Sequence, residues 1–206
     1  MKVWHFITLC AVFLAACTSE GRDDSSFGQV AAALAPAKTP PRVQALLRAN
    51  APRLEVGNIR KKTKGLVLLE ARKDGYEYWL SGDGSQLILQ NGMLHGTRGM
   101  GEGLLASELS QPLAHVLGLT SGWSDRFHTY LNGNDQAVTR TYRCQIDATS
   151  ETHSGHAAVR VVREECSSLD QKFANIYWVD VSSRQIVQSR QWVGPFVGSI
   201  STRLVN

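Results

Sequence analysis

A chain of 206 residues with a formal net charge of +4 and only 19% charged residues presents no dense basic surface of the kind that binds nucleic acid. After residue 16 it holds no internal repeat, no low-complexity block and no apolar run long enough to span a bilayer. The length beyond Pro41 suits one domain with a real core.

In chain order, residues 1–16 read MKVWHFITLCAVFLAA: one lysine, an apolar run from Phe6, then small residues leading into Cys17. This is the layout of a secretory signal. Leu14-Ala15-Ala16-Cys17 resembles the lipobox of bacterial lipoproteins, which implies that Cys17 carries a diacylglyceryl thioether and an acylated amine. Several acyl chains on one residue exceed the two-signal requirement for stable anchoring. Thr18 follows, not the Asp that favours inner-membrane retention in enteric lipoproteins, so the outer membrane is expected. Residues 17–40 are small, polar and proline-ended. They read as a tether, and about twenty flexible residues span roughly 25 Å.

The stretch PRVQALLRAN is expected to form one short helix beginning at the prolines. Strand signals follow: LEVGNI, GLVLLEA, YEYWLS, LILQ and MLHGT, separated by KDG, GDG and NG turns. Asn91-Gly92 between two such runs is a strong hairpin signal, because both central residues of a type I′ turn need positive φ. Between Arg60 and Lys64 lies the chain's one basic cluster, Arg60-Lys61-Lys62-Lys64. It reads as a solvated strand end, with an anionic glycan or lipid head group as the acidic partner to consider.

Residues 90–104, QNGMLHGTRGMGEGL, place five glycines in fifteen positions. A dinucleotide fingerprint would need a third glycine where Leu104 stands, and a P-loop would need a lysine, absent from residue 74 to 171. Gly96, Gly99, Gly101 and Gly103 are therefore read as letting the chain turn sharply at unusual φ/ψ. Residues 104–118, LLASELSQPLAHVLG, are expected to be the one long helical stretch, kinked or split at Pro112.

Strand patterns then return in RFHTYL, VTRTYRCQID, AAVRVVREEC, FANIYWVDV, IVQSRQWVG and ISTRLV. About ten short strands and one or two short helices argue for a mainly β domain, an antiparallel barrel or sandwich. Cys10 leaves with the signal and Cys17 takes lipid, so Cys144 and Cys166 remain as an even pair in an oxidising compartment. A disulfide is expected, contributing about 3 kcal/mol in the chain-entropy model. ATSETHSGH between them reads as a polar hairpin loop. A turn near Ser154-Gly155 sets Cys144 opposite Cys166 but also sets Ile146 opposite Glu164, an apolar–acidic mismatch that leaves the register open.

Catalytic and metal signals are weak. His153 and His156 form the only close histidine pair left after export, with no third ligand at a telling spacing. SGWSD lacks the second glycine of a nucleophile elbow. Asp74, Asp83, Glu102, Asp125 and Glu164 are candidate carboxylates for glycoside chemistry, and nothing selects two of them. Among the aromatics Tyr76, Tyr78, Trp79, Trp123, Tyr177, Trp178 and Trp192, most suit core and sheet positions. Trp79 and Trp192, with Arg98, are the candidates for glycan contact. No catalytic residue, metal site or cofactor is expected.

The ordered set LILQNGMLHGTRGMGEGLL, CQID…EEC, FANIYWVD and SRQWVGP resembles the YjbF-type (GfcB-like) group 4 capsule polysaccharide lipoproteins, from about residue 53 to the end. The resemblance implies a barrel-like β domain on the periplasmic face of the outer membrane, acting in extracellular or capsular polysaccharide production or export with envelope proteins of the same system. It implies no enzymatic activity, and only Cys17 and the pair Cys144/Cys166 carry over. One departure is Glu102-Gly103-Leu104, where the family pattern has Asp-Leu. If that acid caps the following helix, Glu102 takes its place; if it has another role, the carry-over is weaker there. The expected organisation is a signal peptide over 1–16, a lipidated tether over 17–40 and one β-rich periplasmic domain over 41–206. The competing readings are a periplasmic carrier of lipid or glycolipid in a barrel cavity, a glycan-modifying enzyme, and a purely structural outer-membrane role.

Overall fold

The computed structural model describes residues 39–154 and 157–205, and for 149–154 and 157 the backbone alone. The expectations for the signal, Cys17, the tether and His156 lie outside the described residues, as does the side chain of His153. Helix α1 (Pro41–Arg48) starts with proline at its first turn, where a missing N–H leaves no bond unmade. It sets Val43 against Leu68 and Leu80 on the outer face of the sheet. Among the described residues no helix is long and apolar enough to cross a membrane.

Twelve antiparallel strands follow: β1 (Arg53–Asn58), β2 (Thr63–Lys73), β3 (Tyr76–Leu80), β4 (Gln86–Gln90), β5 (Met93–Arg98) and β6 (Leu104–Ser107), then, after helix α2 (Ser110–Gly118), β7 (Gly122–Leu131), β8 (Ala137–Ser154), β9 (Ala157–Ser167), β10 (Lys172–Asp180), β11 (Ile186–Gly194) and β12 (Gly198–Val205). Apart from β5 and β6, consecutive strands pair with one another, and β1 pairs with β12, so the two ends of the folded chain close on one another. The ladder is open only between β5 and β6. There side chains bridge the gap: the His95 ring donates from Nδ1 to the Ser107 carbonyl at 2.9 Å, and Thr97 Oγ1 donates to Leu104 O at 3.2 Å. The fold is thus a nearly closed up-and-down barrel, the barrel alternative of the sequence reading. β11 also reaches across to β5, where Gln191 accepts from Leu94 N (2.8 Å) and donates to Gly92 O (2.9 Å).

The turn chemistry is as the sequence implies. Asp74 and Gly75 (φ 53° and 81°) join β2 to β3, and Asn91 and Gly92 (φ 48° and 83°) join β4 to β5. Three expectations are corrected. Leu104 and Leu105 belong to strand β6, not to a helix, and Pro112 neither kinks nor splits α2 because it lies in the first turn. Glu102 consequently caps no helix; it is exposed in the bend before β6. The segment between the cysteines is a continuing ladder up to Ser154↔Ala157, so little of it is loop.

The interior holds two apolar clusters. One fills the β1–β5 side with Leu54, Leu69, Trp79, Leu89, Leu94 and Tyr130 among others. In the other, α2 sets Val116 against Ile146, Val162, Tyr177 and Val179. Cys144 pairs directly with Cys166 in the β8–β9 ladder, and their sulfurs are bonded. The bridge packs with Tyr142 and Phe173. Replacing both cysteines by serine is expected to lower unfolding free energy by about 3 kcal/mol in urea denaturation, with far-UV circular dichroism unchanged because the ladder persists.

Candidate functional site

Strand β7 is inside out. Its apolar members Trp123, Phe127 and Leu131 are 56%, 40% and 42% exposed, while Ser124, Arg126, His128 and Tyr130 turn inward. Arg126 (2% exposed) meets Glu164 (0%) on β9 as a bidentate pair, Nε to Oε1 at 2.7 Å and Nη2 to Oε2 at 3.0 Å. Its remaining donors go to Ser107 Oγ, Tyr177 OH and the Met93 sulfur. Glu164 Oε2 also accepts from Asn175 Nδ2 (2.8 Å) and Tyr177 OH (2.9 Å). Burial alone would lower the guanidinium pKa, but the Glu164 carboxylate holds it above its ordinary value; burial likewise raises the Tyr177 phenol well above its usual range.

Beside this pair, His128 stacks on Phe173 at 5.5 Å, and Phe173 stacks on Trp192 at 5.7 Å. His128 Nδ1 shares a hydrogen bond with Tyr130 OH at 3.0 Å. Burial, with a smaller contribution from Arg126, pushes the imidazole pKa down to about 3, so the ring is neutral. Cys144, Cys166 and Glu164 bring three donor atoms within 4.8 Å of one another. The two sulfurs are spent on each other, and Glu164 on Arg126, so the trio holds no metal.

The accessible site is the mouth of the barrel where the β1–β2, β3–β4, β5–β6 and β11–β12 turns meet. It is a cleft of about 890 Å³ whose apolar floor is Val56, Val67, Leu87, Met100 and Val197. Two features that are apart in sequence converge on it: Arg60, Lys61 and Lys64 on the rim, and Gly99 to Gly101 on the opposite wall. Gly99 and Gly101 adopt φ 70°, as the turn reading expects, and a Cβ on Gly101 would lie 2.8 Å from the Phe196 ring. Arg60 is fixed by donating to Phe196 O (2.9 Å) and Pro195 O (2.7 Å). Asp83, the acid on this lining, is bound by the Ser81 and Ser85 hydroxyls and the Ser85 amide, which hold its pKa below the ordinary carboxylate value.

The family model for group 4 capsule polysaccharide lipoprotein gfcB, YjbF, matches residues 32–205. The chain belongs to this family. It is 29% identical over 149 residues to the lipoprotein YjbF of Escherichia coli strain K12, covering 68% of each chain. The crystal structure of the lipoprotein YmcC from Escherichia coli K12 superposes with a TM-score of 0.67 at 19% identity, over 90% of this chain and 98% of that one. At that identity the likeness speaks for the fold alone.

Within this YjbF-family barrel the residues expected at a glycan site do not converge. Trp79 is buried in the core with its indole donating to Glu77, Arg98 lies over the Tyr78 ring at 5.8 Å, and Trp192 stacks on Phe173. Among the candidate acids, Glu164 is sealed, Asp125 pairs with Arg143 at 2.9 Å on the surface, and Asp74 sits in a turn. Sequence reading missed Arg126, His128, Asn175 and Gln191 altogether. Its one signal was the mismatch of Ile146 with Glu164; the structure contains that pairing, and it is tolerated because Arg126 neutralises the acid.

Two outcomes follow from the buried centre. Glu164→Gln is expected to cost about 3–5 kcal/mol in urea unfolding, whereas Arg126→Met combined with Glu164→Leu costs less than either single change, since the double change leaves no charge stranded. The folded-state pKa of His128 lies below the 6.5 of the unfolded chain, so the unfolded chain takes up the proton first. Stability from this group is full above pH 6.5 and falls toward pH 3 by up to about 1.4 kcal/mol per pH unit. His128→Phe removes that slope relative to wild type in unfolding measured across pH 4–7.

Proposed function

We propose that this protein is a non-enzymatic accessory in the production or export of extracellular or capsular polysaccharide. In this reading it is lipidated on Cys17, held at the periplasmic face of the outer membrane, and works with envelope proteins of the same export system. The observation that carries the proposal is the match of the capsule polysaccharide lipoprotein family across residues 32–205. The state of the acids supports the non-enzymatic part. Asp83 on the cleft is capped by serines and Glu164 is locked to a guanidinium, so both are committed to the scaffold. Proton transfer needs an acid with a free proton site within reach of a substrate, and a carboxylate saturated by donors is poorly placed for it.

The test is a clean deletion, complemented by wild type or by Cys17→Ser, with surface and released polysaccharide quantified. Polysaccharide is expected to drop and to return with wild type alone. Unchanged polysaccharide, with the neighbouring export genes expressed, would sink the proposal.

A further inference from the structure

We infer that the cleft at the β1–β2, β3–β4, β5–β6, β11–β12 mouth binds an anionic amphiphile: one phosphate-type head at the basic rim and an apolar chain on the floor. The inference rests on the envelope role proposed above and names the ligand class for this cleft.

Size comes first. At about 890 Å³ the cleft lies in the range of small-molecule sites. Its existence has a specific cause in the sequence. On the inward face of β2, Val67 fills the core, but two residues nearer the mouth the inward position is Gly65, where a Cβ would meet nothing within 4 Å. The opposing wall is Gly99 and Gly101, and Ser85 stands between. Small residues at these positions leave the upper barrel unfilled, whereas Trp79, Leu69 and Leu89 fill it below.

Polarity comes second. The floor is hydrocarbon, continuous with the barrel core, and two large apolar side chains flank the opening in solvent, Leu66 at 53% and Phe196 at 57% exposed. The rim is cationic. Arg60 is held in place by two carbonyls, and Lys64 shares Glu55 at 3.6 Å with Arg203, which takes the same carboxylate at 2.9 Å. Among the described residues the Lys61 ammonium has no partner. Among the described residues, Asp83, already satisfied by its serines, is the one carboxylate on the lining. An apolar floor under a positive rim complements a molecule with a negative head and a greasy tail; a free glycan would leave the floor unused, and a neutral lipid would leave the rim unused.

The experiment uses the whole chain carrying Cys17→Ser, so that no acyl anchor of its own competes for the cleft. Titration calorimetry below micelle-forming concentrations compares n-decyl phosphate, n-octyl phosphate, inorganic phosphate, n-decyl maltoside and an acidic hexasaccharide of galacturonic acid. Decyl phosphate is expected to bind saturably at one site, at least tenfold tighter than inorganic phosphate or decyl maltoside, and to weaken about fourfold per methylene removed. Gly65→Trp, which places an indole in the open space, abolishes binding. Lys61→Glu, on the exposed rim and with no ion pair to break among the described residues, weakens it at least fivefold with an unchanged melting temperature, and this variant decides the matter if Gly65→Trp fails to fold. Decyl phosphate binding that ignores both variants, or is no tighter than inorganic phosphate, overturns the inference. Tight binding of the hexasaccharide that is indifferent to Gly65→Trp overturns it in favour of a glycan surface. These readings are made on purified protein, so they stand or fall independently of the deletion phenotype.

Discussion

The Arg126–Glu164 pair is the constraint around which this barrel is arranged. A guanidinium and a carboxylate, both removed from water, are tolerated together only when every remaining donor and acceptor is engaged. The engagement recruits Met93, Ser107, Asn175 and Tyr177, and so fixes β5, β6, β7, β9 and β10 relative to one another. It spans the β5–β6 seam, the one place where the backbone ladder is open. Such a pair adds little net stability over a well-packed apolar equivalent. What it supplies here is discrimination against slipped registers, because shifting β9 by one residue would turn Glu164 outward and leave Arg126 buried alone.

The same pair explains the reversal of β7. With Arg126 inward, the two-residue period of the strand obliges Ser124, His128 and Tyr130 to face inward and Trp123, Phe127 and Leu131 to face solvent. Of the buried polar side chains, His128 meets Tyr130 through Nδ1, and across the interior Gln191 bonds the β5 backbone and Ser189, while Ser124 Oγ and His128 Nε2 have no hydrogen-bond partner among the described residues. Gln191 takes over the amide of Leu94 that a neighbouring strand would otherwise have bonded, which is how the ring tolerates an unzipped seam.

The two mouths of the barrel differ for reasons of side-chain volume. Toward one end, Trp79, Leu89 and Leu54 leave a cleft of about 530 Å³ crossed by the Arg72–Glu77 ion pair. Toward the other, glycine and serine leave the larger cleft, and the β1–β2 turn with the start of β2 brings Arg60, Lys61 and Lys64 to its edge. This member of the capsule polysaccharide lipoprotein family thus has a barrel whose buried Arg126–Glu164 pair is closed off from solvent and whose larger cleft carries basic residues at its rim.

The sequence by itself determined what is decided within a few residues or by residue type and spacing. Asn91-Gly92 and Asp74-Gly75 dictated their hairpins through positive φ, Pro41 started α1, Cys144 and Cys166 made a disulfide, and spaced apolar runs made a mainly antiparallel β domain. Leu104–Ser107 escaped because four residues of apolar character carry no period, and only the neighbouring β7 makes them a strand. The inward face of β7 and the pairing of Ile146 with Glu164 were decided by tertiary structure alone. A buried charge is permitted or forbidden by its partner, and here the partner lies 38 residues away. The cleft likewise has no local signature: Lys61, Gly65 and Gly101 meet only because the strands between them close into a ring.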